Sequence, residues 1–172
     1  MLKITGVILC VFGCAGYGML KIAGWNKALL ELQLWILLFD KIKSYICYQR
    51  DGLEEICIRM DRDIYGIGGA YVYRIGEMAF EMRSKGFSEI WNSQMELWKS
   101  ESILSTDIKE LICHFPEYIG EQDYELQISI LELFISNLIK EKDTLEKQIC
   151  EKKKPVMTIS LICGMVISIL LL

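Results

Sequence analysis

The chain has 172 residues, of which 52% are hydrophobic, and a formal net charge of −4. This length suffices for one hydrophobic core, and no basic patch lies outside the lysines near the two termini, which excludes nucleic acid as a partner. The seven cysteines are odd in number and match no zinc or redox spacing, so we predict reduced, structural cysteines and no bound metal.

The first predicted element is apolar. Residues 4–20 carry no charge, and if Lys21 extends its ammonium group to the interface, the run reaches Trp25 and forms about 33 Å of helix. We predict a transmembrane helix over residues 4–25. Two alternatives stay open: a cleavable signal peptide, because small residues end the apolar run, and a lipid anchor at Cys14.

The middle of the chain, residues 26–151, is acidic and has a helical pattern. All 23 Asp and Glu residues lie between Glu31 and Glu151. After the first span, apolar residues recur at intervals of three and four, which predicts an amphipathic helix. The residues on its apolar face are Leu32, Trp35, Ile36, Phe39, Ile42 and Ile46. We therefore predict an all-α fold, in which this domain is a bundle of about six helices.

Shorter helices separated by turns follow within the bundle. Asp51 and Gly52 supply a turn, and Pro116 cannot continue a helix that precedes it. Between these breaks the pattern predicts helices at residues 53–61, 75–84, 87–99 and 105–113. A longer helix begins after Gly120 and carries a heptad-like seam. The seam residues are Gln127, Leu131, Phe134, Leu138, Leu145 and Ile149.

The stretch "YGIGGAYVYRIG" differs from its surroundings because it is rich in glycine. Gly66, Gly68 and Gly69 suggest a phosphate loop, but the full G-x-G-x-x-G pattern and a following Lys-Ser/Thr are absent. We predict instead a turn or the start of a loosely packed helix, with a short strand as the alternative. The conformation of residues 62–75 is left open.

The last predicted element is again apolar. Residues 155–172 carry no charge and span about 27 Å as a helix, close to the hydrocarbon thickness of a bilayer. We predict a second transmembrane helix there, with a buried core helix as the alternative. Residues 152–154 are all lysine and precede this span, and Lys21 and Lys27 follow the first. By the positive-inside rule, the bundle lies in the cytoplasm.

Few residues offer catalytic chemistry. His114 is the only histidine, and its neighbour Cys113 points about 100° away on a helix, so no nucleophilic pair or metal site is indicated. Acidic pairs such as Glu54 and Glu55 have the pattern of a solvated face. We predict no enzyme, no catalytic residues and no cofactor, and a membrane-bound enzyme stays an open alternative.

Three short motifs lie in order between the apolar termini. The first, "YICYQRDGLEEI", contains Tyr48 and Leu53, and the second, "FSEIWNSQMEL", contains Trp91. The third, "FPEYIGEQDYELQ", contains a glycine, an acidic residue and a glutamine at fixed spacing, which are Gly120, Asp123 and Gln127. The glycine permits a turn before the long helix, the aspartate is placed to cap its first turn, and the glutamine shares the aspartate's face.

These motifs and the two flanking spans resemble the stage III sporulation protein AB family, and the resemblance covers the entire chain. The first motif departs from the family pattern at Tyr45, where the family has an acidic residue, and at Gly52, where it has proline. In the third motif Ile119 stands for a leucine. The resemblance brings no catalytic residues with it.

The resemblance implies a multi-pass cell-membrane protein on the mother-cell side of a secretion-like channel between mother cell and forespore. Its bundle would be similar to the platform proteins of type II secretion and type IV pilus systems. It would offer a docking platform to a secretion-type ATPase, stage III sporulation protein AA, and contact other membrane proteins of the apparatus and membrane lipid. A homo-oligomer stays open, as does a secreted or lipid-anchored helical adaptor.

Overall fold

The computed structural model describes residues 2–49, 52–60, 64–82, 86–119 and 124–171, and the side chains of these residues except 2–12, 15, 49, 124, 161, 168, 170 and 171. Within these ranges the regular structure is entirely helical, which confirms the all-α prediction. The helices are α1 (Leu2–Gln49), α2 (Leu53–Ile58), α3 (Gly66–Glu81), α4 (Phe87–Glu101), α5 (Thr106–Cys113), α6 (Phe115–Tyr118) and α7 (Tyr124–Leu171).

Helices α1 and α7 are each 48 residues long. Both helices therefore continue through residue 25 and Pro155, which are the predicted bounds of the membrane spans. Residues 21–31 contain one glycine and no proline, so nothing there interrupts the α1 hydrogen-bond ladder. Pro155 lies inside α7, where it removes one backbone hydrogen bond without ending the helix.

The chain divides into two compact units. The bundle unit comprises Leu30–Lys142, and the terminal unit comprises Met1–Leu29 together with Asp143–Leu172. Each long helix contributes a segment to both units, whereas α2 to α6 belong to the bundle unit alone.

A cluster of aromatic rings forms the centre of the bundle unit. Phe39 lies at its middle, with ring centroids 5.4 Å from Trp35, 4.6 Å from Phe115 and 4.9 Å from Phe134. All four rings are fully buried. The apolar face predicted for α1 is buried except for Ile36, and the α7 seam is buried at Leu131, Phe134 and Leu138 of this unit and at Ile149 of the terminal unit. Periodicity thus identified the core-facing sides of both helices.

The glycine-rich stretch begins a helix nine residues before the predicted one. Gly66 has φ +59° at the first position of α3, a conformation that glycine adopts without steric cost. Gly68 and Gly76 lie on the buried face of α3. A Cβ at Gly68 would lie 2.7 Å from the indole of Trp35, and one at Gly76 would lie 2.7 Å from the backbone nitrogen of Ile58. These glycines therefore let α3 pack closely against α1 and α2.

Helices α4 and α5 follow the sequence prediction closely, whereas the short α6 was not predicted. The predicted break before Pro116 is correct, since α5 ends at Cys113 and the short α6 starts at Phe115. Proline fits this first turn because a helix leaves its first N–H groups without intrahelical acceptors.

The terminal unit pairs the beginning of α1 with the end of α7. Gly18 is buried, and a Cβ there would lie 2.8 Å from Ser160 Oγ. Besides exposed charged residues, this unit exposes many large apolar side chains, which a water-soluble surface rarely presents contiguously. Those exposed by about two fifths or more are Tyr17, Met19, Leu20, Ile159, Ile162, Met165, Val166, Ile167 and Ile169.

One helical stretch in the described part of the chain, Gly16–Tyr48, is long and apolar enough to cross a membrane, and 28% of its most apolar window is buried. It overlaps the predicted span at residues 4–25 only in part. Both predicted spans, residues 4–25 and 155–172, include side chains outside the described set. The arrangement of two terminal spans therefore stays a prediction.

Candidate interaction surface

Tyr48 and Gln127 lie at the same level of the bundle unit. Lys43 Nζ is 3.6 Å from Glu132 Oε1, which joins α1 to α7. One groove is lined by α1 residues that precede Lys43 and by α7 residues that follow Glu132. The two helices therefore run antiparallel here. Tyr48 and Gln127 are each five residues from this ion pair, about 7.5 Å along each axis. They therefore lie at the end of the unit opposite Leu30 and Lys142.

Three of the six residues singled out in the sequence belong to this end. Tyr48 is 86% exposed, which is unusual for an aromatic side chain. Gln127 and Leu53 are half-buried, and Leu53 follows Gln49 by four residues, within about 14 Å of extended chain. Gly120 and Asp123 lie outside the described residues, so their predicted turn and cap stay predictions. We call Tyr48, Leu53 and Gln127 the distal patch.

Trp91 has a different environment, in the core. Its side chain is fully buried, its ring lies 4.9 Å from that of Phe115, and its Nε1 donates a 3.1 Å hydrogen bond to the carbonyl of Cys113. The bond ties α4 to the last residue of α5. The structure thus gives Trp91 a packing role and does not bring it together with the distal patch.

Replacing Trp91 by phenylalanine is expected to lower the free energy of unfolding by about 1 kcal/mol more than the same change at Trp98. Both indoles are fully buried, but within the described residues Trp98 Nε1 has no hydrogen-bond partner. The two variants lose the same volume, so the difference reports the hydrogen bond to Cys113. Denaturant unfolding of the detergent-solubilised full chain, followed by circular dichroism, measures it. Equal losses would contradict the assigned role.

Two grooves flank Arg59, between α2 and α3. One has a volume of about 620 Å³ and is lined by Arg59, Tyr71, Tyr73 and Arg74 among others. The other, about 670 Å³, has Glu54, Glu55 and Phe80 at its edge. Arg59 Nη2 donates a 2.7 Å hydrogen bond to Glu55 Oε1, so its charge is balanced locally.

Phe80 is a surface residue that the sequence did not single out. It is 63% exposed on α3, although it lies one turn after the buried Gly76 on the same side of the helix. Its i, i+4 relation to Gly76 places both residues on one face of α3, and Gly76 is buried. Helical periodicity would therefore have predicted a buried Phe80, so no signal in the sequence indicated its exposure.

Cys57 and His114 are the reactive side chains whose surroundings bear on catalysis in the described part of the chain. Cys57 is buried, and burial together with the nearby Glu54 carboxylate raises its pKa to about 12, so the thiolate nucleophile is scarce at neutral pH. His114 Nδ1 is 2.9 Å from Glu117 Oε1 on an exposed surface. No three His, Cys, Asp or Glu side chains among the described residues converge on a metal-sized site.

These features define an all-helical protein: an aromatic-cored bundle whose first and last helices continue into apolar terminal segments. The model of the family described as stage III sporulation protein AB matches residues 3–172. The chain therefore belongs to the stage III sporulation protein AB family, which confirms the resemblance seen in its motifs. This is a family of sporulation proteins and not a known enzyme family. No curated protein and no solved structure matches the chain.

Proposed function

We propose that this protein is a non-enzymatic membrane component of a secretion-like sporulation apparatus between mother cell and forespore. Its terminal segments span the membrane twice, and its bundle unit lies in the mother-cell cytoplasm. There the bundle offers a docking surface to a secretion-type ATPase. Membership of the sporulation family supports the role in sporulation. The surface of the terminal unit supports membrane insertion, and that of the bundle unit supports docking.

The surface of the terminal unit supports insertion into a bilayer. Both paired helices expose large apolar side chains, among them Leu20 and Ile159, and lipid removes that surface from water. Charge supports the orientation. The terminal segments contain seven lysines and three acidic residues, whereas the bundle unit contains 12 basic and 20 acidic residues. Lysines that flank a membrane span favour the cytoplasmic side.

Tyr48 is the observation that carries the docking proposal. A largely exposed aromatic side chain has little reason to be there for folding, and aromatic residues are enriched among those that dominate binding energy. Tyr48 lies at the end of the bundle unit farthest from the points where the chain leaves it. The acidic character of this unit favours a basic face on the partner.

Attachment of the bundle through two helices would let a docked ATPase transmit its movement. The bundle is joined to a terminal segment through α1 and again through α7, both uninterrupted helices. A single flexible anchor would let the bundle rotate and dissipate a partner's motion. With two helical attachments, nucleotide-driven movement of a docked ATPase reaches the membrane-embedded segments.

The test is capture of the secretion-type ATPase, stage III sporulation protein AA, by the full chain in the presence of the other membrane components. Tyr48→Ala is expected to weaken capture by about 30-fold, as for a dominant interface residue. Its thermal unfolding should be unchanged because the side chain is exposed. Leu133→Ala is the matched control, since Leu133 is 58% exposed on α7. Equal capture by wild type and Tyr48→Ala would overturn the proposed docking surface.

A further inference from the structure

We propose that five lysines of the terminal unit form a belt that binds the headgroups of anionic phospholipids. These lysines, called the lysine belt below, are Lys21, Lys27, Lys152, Lys153 and Lys154. The inference rests on the proposed membrane insertion and goes beyond it by naming the lipid class.

All five lysines lie beside the contact that pairs the two terminal helices. Lys21 follows Gly18 by three residues, about 4.5 Å along α1, and Lys154 precedes Ser160 by six, about 9 Å along α7. The other belt lysines lie within about 14 Å of the same contact along their helices. Each lies between the contact and the point where its helix passes into the bundle unit. The belt is therefore confined to one level of the terminal unit.

The belt is accessible and carries concentrated charge. All five side chains are exposed, and none forms an ion pair with any residue that the structure describes. Lys152, Lys153 and Lys154 are about 100° apart around the helix and together cover about 200° of it. Glu151 is the one acidic residue within a turn of these three. A ligand approaching from most directions thus meets ammonium groups.

The neighbouring surface selects lipid over an acidic protein as the ligand. Beyond Pro155 most of the exposed side chains of α7 are apolar, among them Ile159 and Ile162, and Thr158 is an exposed polar one. A phospholipid matches both parts, since its acyl chains cover the apolar surface and its phosphate reaches the belt. Lysine stems pack along hydrocarbon while their ammonium groups extend to the headgroups. Clusters of four to eight basic residues next to a span have this affinity for anionic lipid.

Native mass spectrometry of the full chain in detergent, titrated separately with phosphatidylglycerol and phosphatidylcholine, tests the inference. Wild type is expected to bind phosphatidylglycerol about tenfold more tightly, and K152Q/K153Q/K154Q is expected to lose most of this preference. K41Q/R74Q/K140Q is the matched control, because it removes three exposed cations from the bundle unit. The control should keep the preference.

Two results would overturn the belt: equal affinity of wild type for the two lipids, or an unchanged preference in K152Q/K153Q/K154Q. If that variant instead keeps its lipid preference and loses ATPase capture, the lysines contact a protein. Carbonate extraction of membranes distinguishes failure of the lysine belt from failure of the proposed membrane insertion. Wild type that stays in the membrane without lipid preference contradicts the belt alone, whereas wild type released by carbonate contradicts both.

Discussion

Replacing Phe39 by alanine is expected to lower the free energy of unfolding by about 3–5 kcal/mol. Its ring is fully buried at the middle of the aromatic cluster, within 5.4 Å of the rings of Trp35, Phe115 and Phe134. Truncation removes apolar surface and leaves a cavity that the three surrounding rings, themselves buried, cannot fill. Denaturant unfolding of the full chain in detergent, followed by tryptophan fluorescence, measures the loss.

Phe80→Ala is the control for this change, because it is the same substitution on a side chain that is 63% exposed. A surface substitution of this kind should change the unfolding free energy by no more than about 0.5 kcal/mol. Comparable losses in the two variants would mean that the aromatic cluster does not form the core of the bundle unit.

Replacing Gly76 by alanine is expected to destabilise the protein by about 2 kcal/mol. The new methyl group would lie 2.7 Å from the backbone nitrogen of Ile58 and 2.9 Å from Cys57 Cβ. Backbone atoms cannot move aside as a flexible side-chain tip can, so α2 and α3 must separate. This cost outweighs the gain of about 1 kcal/mol that alanine brings to a helix interior.

Gly24→Ala isolates that gain in helix propensity. Gly24 is also helical, in α1, and a Cβ there would meet no atom within 4 Å. The same denaturation experiment should find this variant as stable as wild type or more stable. Should Gly76→Ala also prove neutral, the close crossing of α2 and α3 is not present in solution.

The sequence was informative wherever the helical period was strong. Leu32, Trp35 and Phe39 recur on one face of α1, and all three are buried, because amphipathic helices pack through their apolar side. The motifs likewise led to the correct family. Within the candidate surface, the sequence named Tyr48 and Gln127 but gave no reason to place them at one level. That placement depends on the register of α1 against α7, which local pattern does not encode.

Two features were missed for physical reasons. Glycine lowers helix propensity, so Gly66 and Gly68 predicted a turn or a loose helix start. In the structure glycine fits at Gly66 because φ is +59°, and at Gly68 because the backbone packs closely on Trp35. A change of composition near residue 25 also predicted an element boundary. Hydropathy changes there while helix propensity does not, so α1 continues from its apolar part into the amphipathic part.

Pro155 has a consequence for how deeply the carboxyl-terminal segment can sit in lipid. It has no amide hydrogen, so the carbonyl of Glu151, four residues earlier in α7, lacks its donor in the helical ladder. A polar oxygen without a partner is costly in hydrocarbon, and water reaches it only in the headgroup layer. The last turn before Pro155 must therefore stay hydrated, which sets a limit on immersion that a helix without proline would not have.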